Sequence, residues 1–402
     1  MRFAQPAMTD NLDDPKVSPF LVLATAAGFE PGFRAGGPVR SVAAIVDTIS
    51  DKVDLRLITR DRDIGSSSPY PHYSGRWISR GRSWIFYLNT RRPGQWMRLW
   101  RELSALKFDL LYVNSLWNPI FTVAPIVATS LGIIRVKTIL IAPRGELTLG
   151  ALSLKNSKKR LFLKWWGPFL SRMDVRWHAS SDAEASQICS LIPWARVEVN
   201  SNQVSLPDEP LQARAVSEGR PRLIFVGRIS PMKNLDLILA SLLNLTKPVD
   251  FDIYGPIEDR EYWSKCERYL RQVPSFIRVK YEGELEPSEV RRTFGAYDAF
   301  IFPTLGENFG HAIAESLSAS CPVVCSDRTP WTSVLEGGGG AILRNLTRAN
   351  VAKELERIAA MTPSERLAAK QAAGIAYRSW RKRTGGLNIL EQVRVAGWSS
   401  RQ

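Results

Sequence analysis

The sequence predicts an α/β protein of two doubly wound, Rossmann-like domains facing each other across a cleft. Three observations carry this. The chain has 402 residues, 45% of them apolar, more than one hydrophobic core accommodates. Short β-branched runs alternate with helix-length segments, the pattern of parallel sheets covered by helices. The pattern also stops at a polar stretch rich in Pro and Gly, Pro207 to Pro221, and then restarts, as across a linker.

In order, PFLVLAT (19–25), VDLRLIT (53–59), FDLLYVN (108–114) and VKTILIAP (136–143) are the strand candidates of the first half. RLIFVGR (222–228), DFDIYG (250–255), FIRVKYEG (276–283), DAFIFP (298–303) and PVVCSD (322–327) are those of the second. The expected division is a first domain over 1–205, a linker over 206–220, a second domain over 221–365, and a tail over 366–402. The helical segment Ser364 to Trp380 is expected to pack back on the first domain. Leu110 to Ile134 carries no charge and is long enough to span a bilayer. It also holds Asn114, Asn118, Pro119, Pro125 and Gly132, so it is better read as a buried strand, a loop and a helix with Pro119 in its first turn.

Cys189, Cys266, Cys321 and Cys325 form no C-x-x-C pair, and His72, His178 and His311 have no ligand spacing. That argues against a zinc site or a disulfide scaffold, and no metal is expected. The first 18 residues hold three Asp and no apolar run, unlike a secretory leader. A cytoplasmic protein with reduced thiols is the expectation. The formal charge of +15 and pI near 9.8 imply an anionic partner: nucleic acid, a lipid surface or phosphate-bearing small molecules.

In open α/β sheets ligands bind beyond the carboxyl ends of strands. After the first strand, Gly36 and Gly37 precede Pro38 and an apolar-periodic helix, an arrangement that exposes backbone N–H groups at a positive helix end. A glycine-rich turn closing a βα loop is the plainer alternative. After RLIFVG come Arg228 and, five residues on, Lys233, cations suited to a diphosphate. They could equally be solvated loop charges. In DAFIFPTLGENFGHAIAESLSASCPVVCSD a strand ends at Pro303, the loop carries Glu307, and a helix starts near Phe309 or Gly310. Its N–H groups from Asn308 to Ala312 would face the same cleft. Glu315, set among Ala312, Ile313, Ala314, Ser316 and Leu317, should be partly buried and in need of a partner. The plainer alternative makes Glu307 a helix-dipole complement worth less than about 1 kcal/mol and Glu315 a surface residue.

LIFVGRISPMKNLDLIL, GELEPSEV and FPTLGENFGHAIAESLSASCPVVCSDRTPW closely resemble the carboxyl-terminal half of glycosyltransferase family 4. These are retaining transferases with the GT-B fold, and bacterial surface-polysaccharide and lipopolysaccharide transferases are among those it resembles. AGGPVRSV, APRGELTLGALSLKNSKKRLF and HASSDAEA resemble the family's glycine loop, acceptor-side segment and late strand-to-helix element more loosely. The resemblance implies sugar transfer from a UDP- or GDP-sugar, with no cofactor or metal, to a saccharide or lipid-linked acceptor in cell-surface polysaccharide synthesis. Carried over residue by residue, Arg228 and Lys233 hold the diphosphate, Glu315 the ribose, and Glu307 the sugar near its reacting face. Asn308, Phe309, Gly310, Gly36 and Gly37 present backbone N–H groups, and Gly283 to Leu285 meet the base. Arg144 and His178 are the acceptor-side candidates, with a salt bridge to Glu146 or another local carboxylate as the alternative role for Arg144.

Two departures stand out. The usual Lys-Gly is Lys233-Asn234, and Asn tolerates the left-handed conformation. A common Asn-Gly turn is Asn202-Gln203, where a left-handed Gln would cost about 1 kcal/mol or more.

Arg76 to Lys107 holds eight cations, one Glu and four Trp, and Lys155 to Arg176 holds seven cations and one Asp beside Trp165 and Trp166. Such stretches fit an anionic membrane surface, or a solvated face over a core. The expected location is cytoplasmic and peripheral, on the inner face of the membrane. Rival readings are a basic nucleic-acid-binding module, which lacks recognised signatures, a nucleotide-sugar epimerase, and a metal-dependent transferase using Asp61-Arg62-Asp63 as a D-x-D.

Overall fold

The computed structural model describes residues 19–147, 156–214 and 219–397. The leader reading at 1–18, part of the acceptor-side segment (148–155) and linker residues 215–218 lie outside them.

Two sheets form. The first contains β1 (Phe20–Ala26), β2 (Val53–Arg60), β3 (Trp77–Arg80), β4 (Ser83–Leu88), β5 (Lys107–Asn114), β6 (Arg135–Ala142), β7 (Val175–Ala179) and β8 (Arg196–Val199), in the order β3-β4-β2-β1-β5-β6-β7-β8. The second contains β9 (Arg222–Val226), β10 (Asp250–Tyr254), β11 (Arg278–Gly283), β12 (Ala299–Phe302), β13 (Val323–Ser326) and β14 (Gly340–Leu343), ordered β11-β10-β9-β12-β13-β14. All pairs are parallel except β3 with β4. Central strands such as β5 and β12 are buried along almost their whole length, which is why they read as continuous apolar runs. In both sheets the first strand sits mid-sheet and the order reverses beside it, so each sheet opens a crevice at the carboxyl ends of its strands.

The uncharged 110–134 segment divides as its polar punctuation dictates. Strand β5 leads to Asn118, whose side chain accepts from Ile120 N and Phe121 N at 3.0 and 2.9 Å, and then to the Ala124–Ser130 helix. Among the described residues no helix is long and apolar enough to cross a membrane. The basic stretch after Arg76 is the β3–β4 hairpin and the Pro93–Ser104 helix. There Trp77 donates to Glu102 at 2.9 Å, and Trp96 and Trp100 stack together against the core. Trp84 remains 40% exposed. In the second stretch Phe162, Trp166 and Phe169 form one aromatic row, while Trp165 is 75% exposed.

The C-terminal helices correct one expectation. The Pro363–Thr384 helix, opened by a Thr362–Glu365 capping box, lies on the second domain rather than the first. Lys370, 1% exposed, donates to the carbonyls of Tyr297 and Gly295 at 2.5 and 3.1 Å, and Arg366 meets Asp298 at 3.4 Å. Those buried cations need second-domain acceptors, which fixes the helix there. It is the next helix, Ile389–Ala396, that returns to the first domain. Ile389, Leu390 and Val393 enter the core around β1 and β2, and Glu391 accepts from Ser50 N at 2.7 Å. The outgoing chain near 200 and the returning chain near 387 touch. Asn200 Nδ2 donates to Leu387 O at 2.9 Å and to Gln392 Oε1 at 2.7 Å.

Candidate active site

On the first domain, the loop after β1 reaches Gly36, at φ 69°, which caps the Gly37–Thr48 helix. Asp63 holds this loop: its Oδ2 accepts from Phe33 N at 2.9 Å and Arg34 N at 3.2 Å. Asp61 is fully buried, bonded to Ser74 Oγ at 2.6 Å and Arg62 Nε at 2.9 Å. Both carboxylates of the D-x-D pair are thus engaged by donors within the first domain, and no cluster of three or more His, Cys, Asp or Glu with metal-binding geometry occurs among the described residues.

On the second domain, Arg228 follows β9 and pairs with Glu258 at 2.5 Å. Lys233 ends a 3-10 turn, Pro231–Lys233, and pairs with Glu307. Thr304 Oγ1 also reaches Glu307, at 3.2 Å, and Glu307 N donates to Arg328 O at 3.1 Å. Asn234 is left-handed at φ 59°, as its substitution for Gly requires, and donates to Pro303 O at 3.1 Å. It thereby ties the Lys233 turn to the Glu307 loop. Gly310, at φ 85°, caps the His311–Ser318 helix. Phe309 is buried, and its carbonyl accepts from Trp331 Nε1 at 2.5 Å.

The two helix starts face each other. A Cβ on Gly37 would lie 3.3 Å from His311 Cδ2, and one on Gly36 would lie 4.0 Å from Arg228 Nε. Neither helix has an acidic residue in its first turn, so two positive helix ends and the Arg228 and Lys233 cations border one crevice. Glu315 sits behind it. Oε1 pairs with Arg40 of the first domain, and Oε2 is buried without a partner among the described residues. Beyond, Gly283 ends β11 at φ 84°, Leu285 packs on the core, and Glu284 between them pairs with Arg34 at 2.9 Å.

The acceptor-side candidates behave differently from each other. Arg144, left-handed at φ 54°, bonds to Tyr112 OH at 2.6 Å, Asn114 Oδ1 at 2.9 Å and the Asn202 amide oxygen. Glu146 turns away to Ser115 Oγ and Leu116 N, so the Arg144–Glu146 bridge does not form. His178 is 3% exposed, with Nδ1 2.9 Å from Tyr112 OH and Nε2 2.9 Å from Asn200 O. Both ring nitrogens are occupied by protein, which leaves neither for an acceptor. Burial, with the Arg144 charge nearby, pushes the imidazole pKa down to about 3. Gln203 is not left-handed, so the strain expected there is absent.

The sequence reading assigns no role to four side chains at the site: those of Arg40, Ser41, His311 and Glu184. Ser41 Oγ meets His311 Nε2 at 2.8 Å, and burial first, then Arg40 and Arg144, hold His311 down near pKa 3. Glu184, 3% exposed, accepts from Gly145 N, Ser180 N, Ser180 Oγ and, across the cleft, Asn308 Nδ2. Only the apolar surroundings of His311 and the Ser-x-x-Glu start of the Asp182–Leu191 helix could have hinted at two of them.

Residues 208–373 match the family described as Glycosyl transferases group 1. The matched region contains Arg228, Lys233, Glu307 and Glu315. Among curated relatives, the O-antigen chain mannosyltransferase B of Escherichia coli is 28% identical over 122 residues, 29% of this chain and 31% of that one. A GDP-mannose-dependent alpha-mannosyltransferase of Mycolicibacterium smegmatis is 26% identical over 168 residues, 40% and 42% of the two chains. The chain thus spans less than half the length of these relatives. Solved structures extend the likeness to the whole fold. HepE of Anabaena, in complex with UDP and glucose, gives a TM-score of 0.67 at 15% identity over 94% of this chain and all of that one. WaaG, a glycosyltransferase of lipopolysaccharide biosynthesis, gives 0.62 at 12% identity over 94% and 100%. The fold is GT-B.

Proposed function

We propose that the protein is a retaining glycosyltransferase that moves a hexose from a nucleotide diphosphate sugar to a saccharide or lipid-linked acceptor in cell-surface polysaccharide synthesis. One observation carries the reading: two helix ends with no acidic residue in their first turns and the Arg228 and Lys233 side chains border one crevice at the carboxyl ends of the second sheet's strands. A diphosphate leaving group gains negative charge as the glycosidic bond breaks. Donors fixed around it stabilise the transition state more than the ground state, without calling on a metal. Glu307 is held by Lys233 and Thr304, which suits orienting the sugar and stabilising positive charge at its anomeric carbon rather than acting as a free nucleophile. In this reading Glu315 Oε2 accepts a ribose hydroxyl and the Gly283–Leu285 backbone meets the base.

The two mannosyltransferase relatives support GDP-mannose as the first donor to test, and the UDP complex of HepE supports UDP-glucose as the second. Exposed Trp165 beside exposed Lys164 supports contact with an anionic membrane on its cytoplasmic face, where each nearby cation adds about 1 kcal/mol.

The test is thermal stabilisation across nucleotide sugars, since a donor at 100 times its Kd adds about 2.7 kcal/mol. It is followed by transfer assays on the Glu307→Gln variant. That variant should bind nucleotide and fail to transfer; full transfer by it would sink the assignment. Turnover of donor without any acceptor would favour an epimerase instead.

A further inference from the structure

The first turns of the Gly37–Thr48 and His311–Ser318 helices meet across the cleft, and two contacts join them. One is Ser41 Oγ to His311 Nε2 at 2.8 Å; the other is the Arg40 guanidinium to Glu315 Oε1. Arg40 has no second ion pair among the described residues. Glu315 is one-sided: Oε1 is neutralised by the first domain, while Oε2 is buried with nothing among the described residues donating to it. A buried carboxylate oxygen left bare is unfavourable unless a ligand completes it.

We infer that Glu315 grips both partners at once, a donor ribose hydroxyl through Oε2 and Arg40 through Oε1, so that Arg40 is a positioning residue linking donor seating to closure of the first domain. The inference rests on the ribose role proposed for Glu315. Its physical content is charge balance. A lone Glu315 carboxylate near a diphosphate would repel the charge that builds on the leaving group, and Arg40 cancels that charge from the opposite domain. The same contact draws Gly36, Gly37 and their helix end onto the leaving group, where alignment affects the transition state more than binding. Ser41 and His311, both uncharged in the pair, supply the neutral half of the dock and cannot replace the balance.

Binding of GDP and UDP by calorimetry, and transfer from GDP-mannose and UDP-glucose, separate the roles. Glu315→Gln should weaken the nucleotide about tenfold or more. Arg40→Met should change nucleotide affinity by less than about threefold while lowering kcat about tenfold or more at nearly constant donor KM, with Arg40→Lys recovering part of the loss. If Arg40→Met binds nucleotide more tightly than wild type, the ligand displaces Arg40 and the shared grip is wrong. An affinity loss equal to that of Glu315→Gln with kcat intact makes Arg40 an ordinary donor contact and overturns the idea equally. A second arm needs no ligand. In the unliganded protein, Arg40→Met should speed hydrogen exchange in the second turns of both helices, whose amides are intrahelically bonded, and unchanged exchange there refutes the cross-cleft tie. Should wild type bind neither nucleotide, the donor reading itself fails, and the exchange arm alone decides whether Arg40 joins the domains.

Discussion

Glu184→Gln is the most informative single change on the first domain. The wild-type carboxylate, 3% exposed, takes Gly145 N on Oε1 at 2.7 Å. On Oε2 it takes Ser180 N and Oγ at 2.8 Å each and Asn308 Nδ2 at 3.1 Å. Every one of these partners is a donor. Glutamine keeps one accepting oxygen, so if it serves the Oε2 trio, its NH2 group faces the Gly145 N–H, donor against donor. One buried N–H left unpaired costs about 1–3 kcal/mol, and three bonds lose their charge assistance, for a total of about 2–4 kcal/mol. A domain of this size loses about 2–4 °C per kcal/mol, so the first-domain transition should fall by about 5–15 °C. Scanning calorimetry at pH 7 measures it, and a melting temperature within about 1 °C of wild type would refute the four-donor account. Because Asn308 adjoins Glu307, transfer should fall as well, and a Glu184→Gln/Asn308→Ala double mutant should lose less than the sum of the single changes.

Stability should also depend on pH through the two buried histidines. His178 and His311 have folded values near 3, held down first by burial, against about 6.5 in an unfolded chain. Between those values the unfolded chain binds more protons, so their contribution is fully present above about pH 6.5 and is lost as pH falls. From pH 7 to 5 each imidazole should remove about 2 kcal/mol, visible in urea titrations. His178→Gln and His311→Gln should each flatten that slope, and parallel slopes in all three proteins would contradict the assignment. Asp63→Ala frees Phe33 N and Arg34 N and should loosen the path into Gly36, weakening nucleotide binding several-fold with EDTA making no difference. Loss of nucleotide binding on EDTA addition would instead revive the D-x-D reading.

The sheet cores were legible because strands buried on both faces leave uninterrupted runs such as FLVLAT and AFIF. Strands β3 and β4 were not, since β3 is an edge strand and in WISRGRSWIF Arg80 and Arg82 split the apolar residues into pieces too short to read as one run. RVEV at the opposite edge failed for the same reason. In the site, residues directly after strands could be located because the carboxyl edge of a parallel sheet is a general binding position. Their partners could not. Arg40 and Glu315 are 275 residues apart, and Asn308 and Glu184 are 124 apart, and no local periodicity encodes a meeting between domains. The Ser364 to Trp380 segment misled for a different reason: its helix has a polar composition, and it is the carbonyls of Gly295 and Tyr297, accepting from buried Lys370, that hold it on the second domain.

The side-by-side passage of the chain near Asn200 and Leu387 has a mechanical consequence. A single connecting segment would let the domains swivel, shear and gape independently. Two laced segments at one margin would act as an axle: rotation about it would part or join the far margin, while twisting would stretch one segment against the other. Relative travel would then be nearly one-dimensional, and the first turns of the two helices would meet in one register.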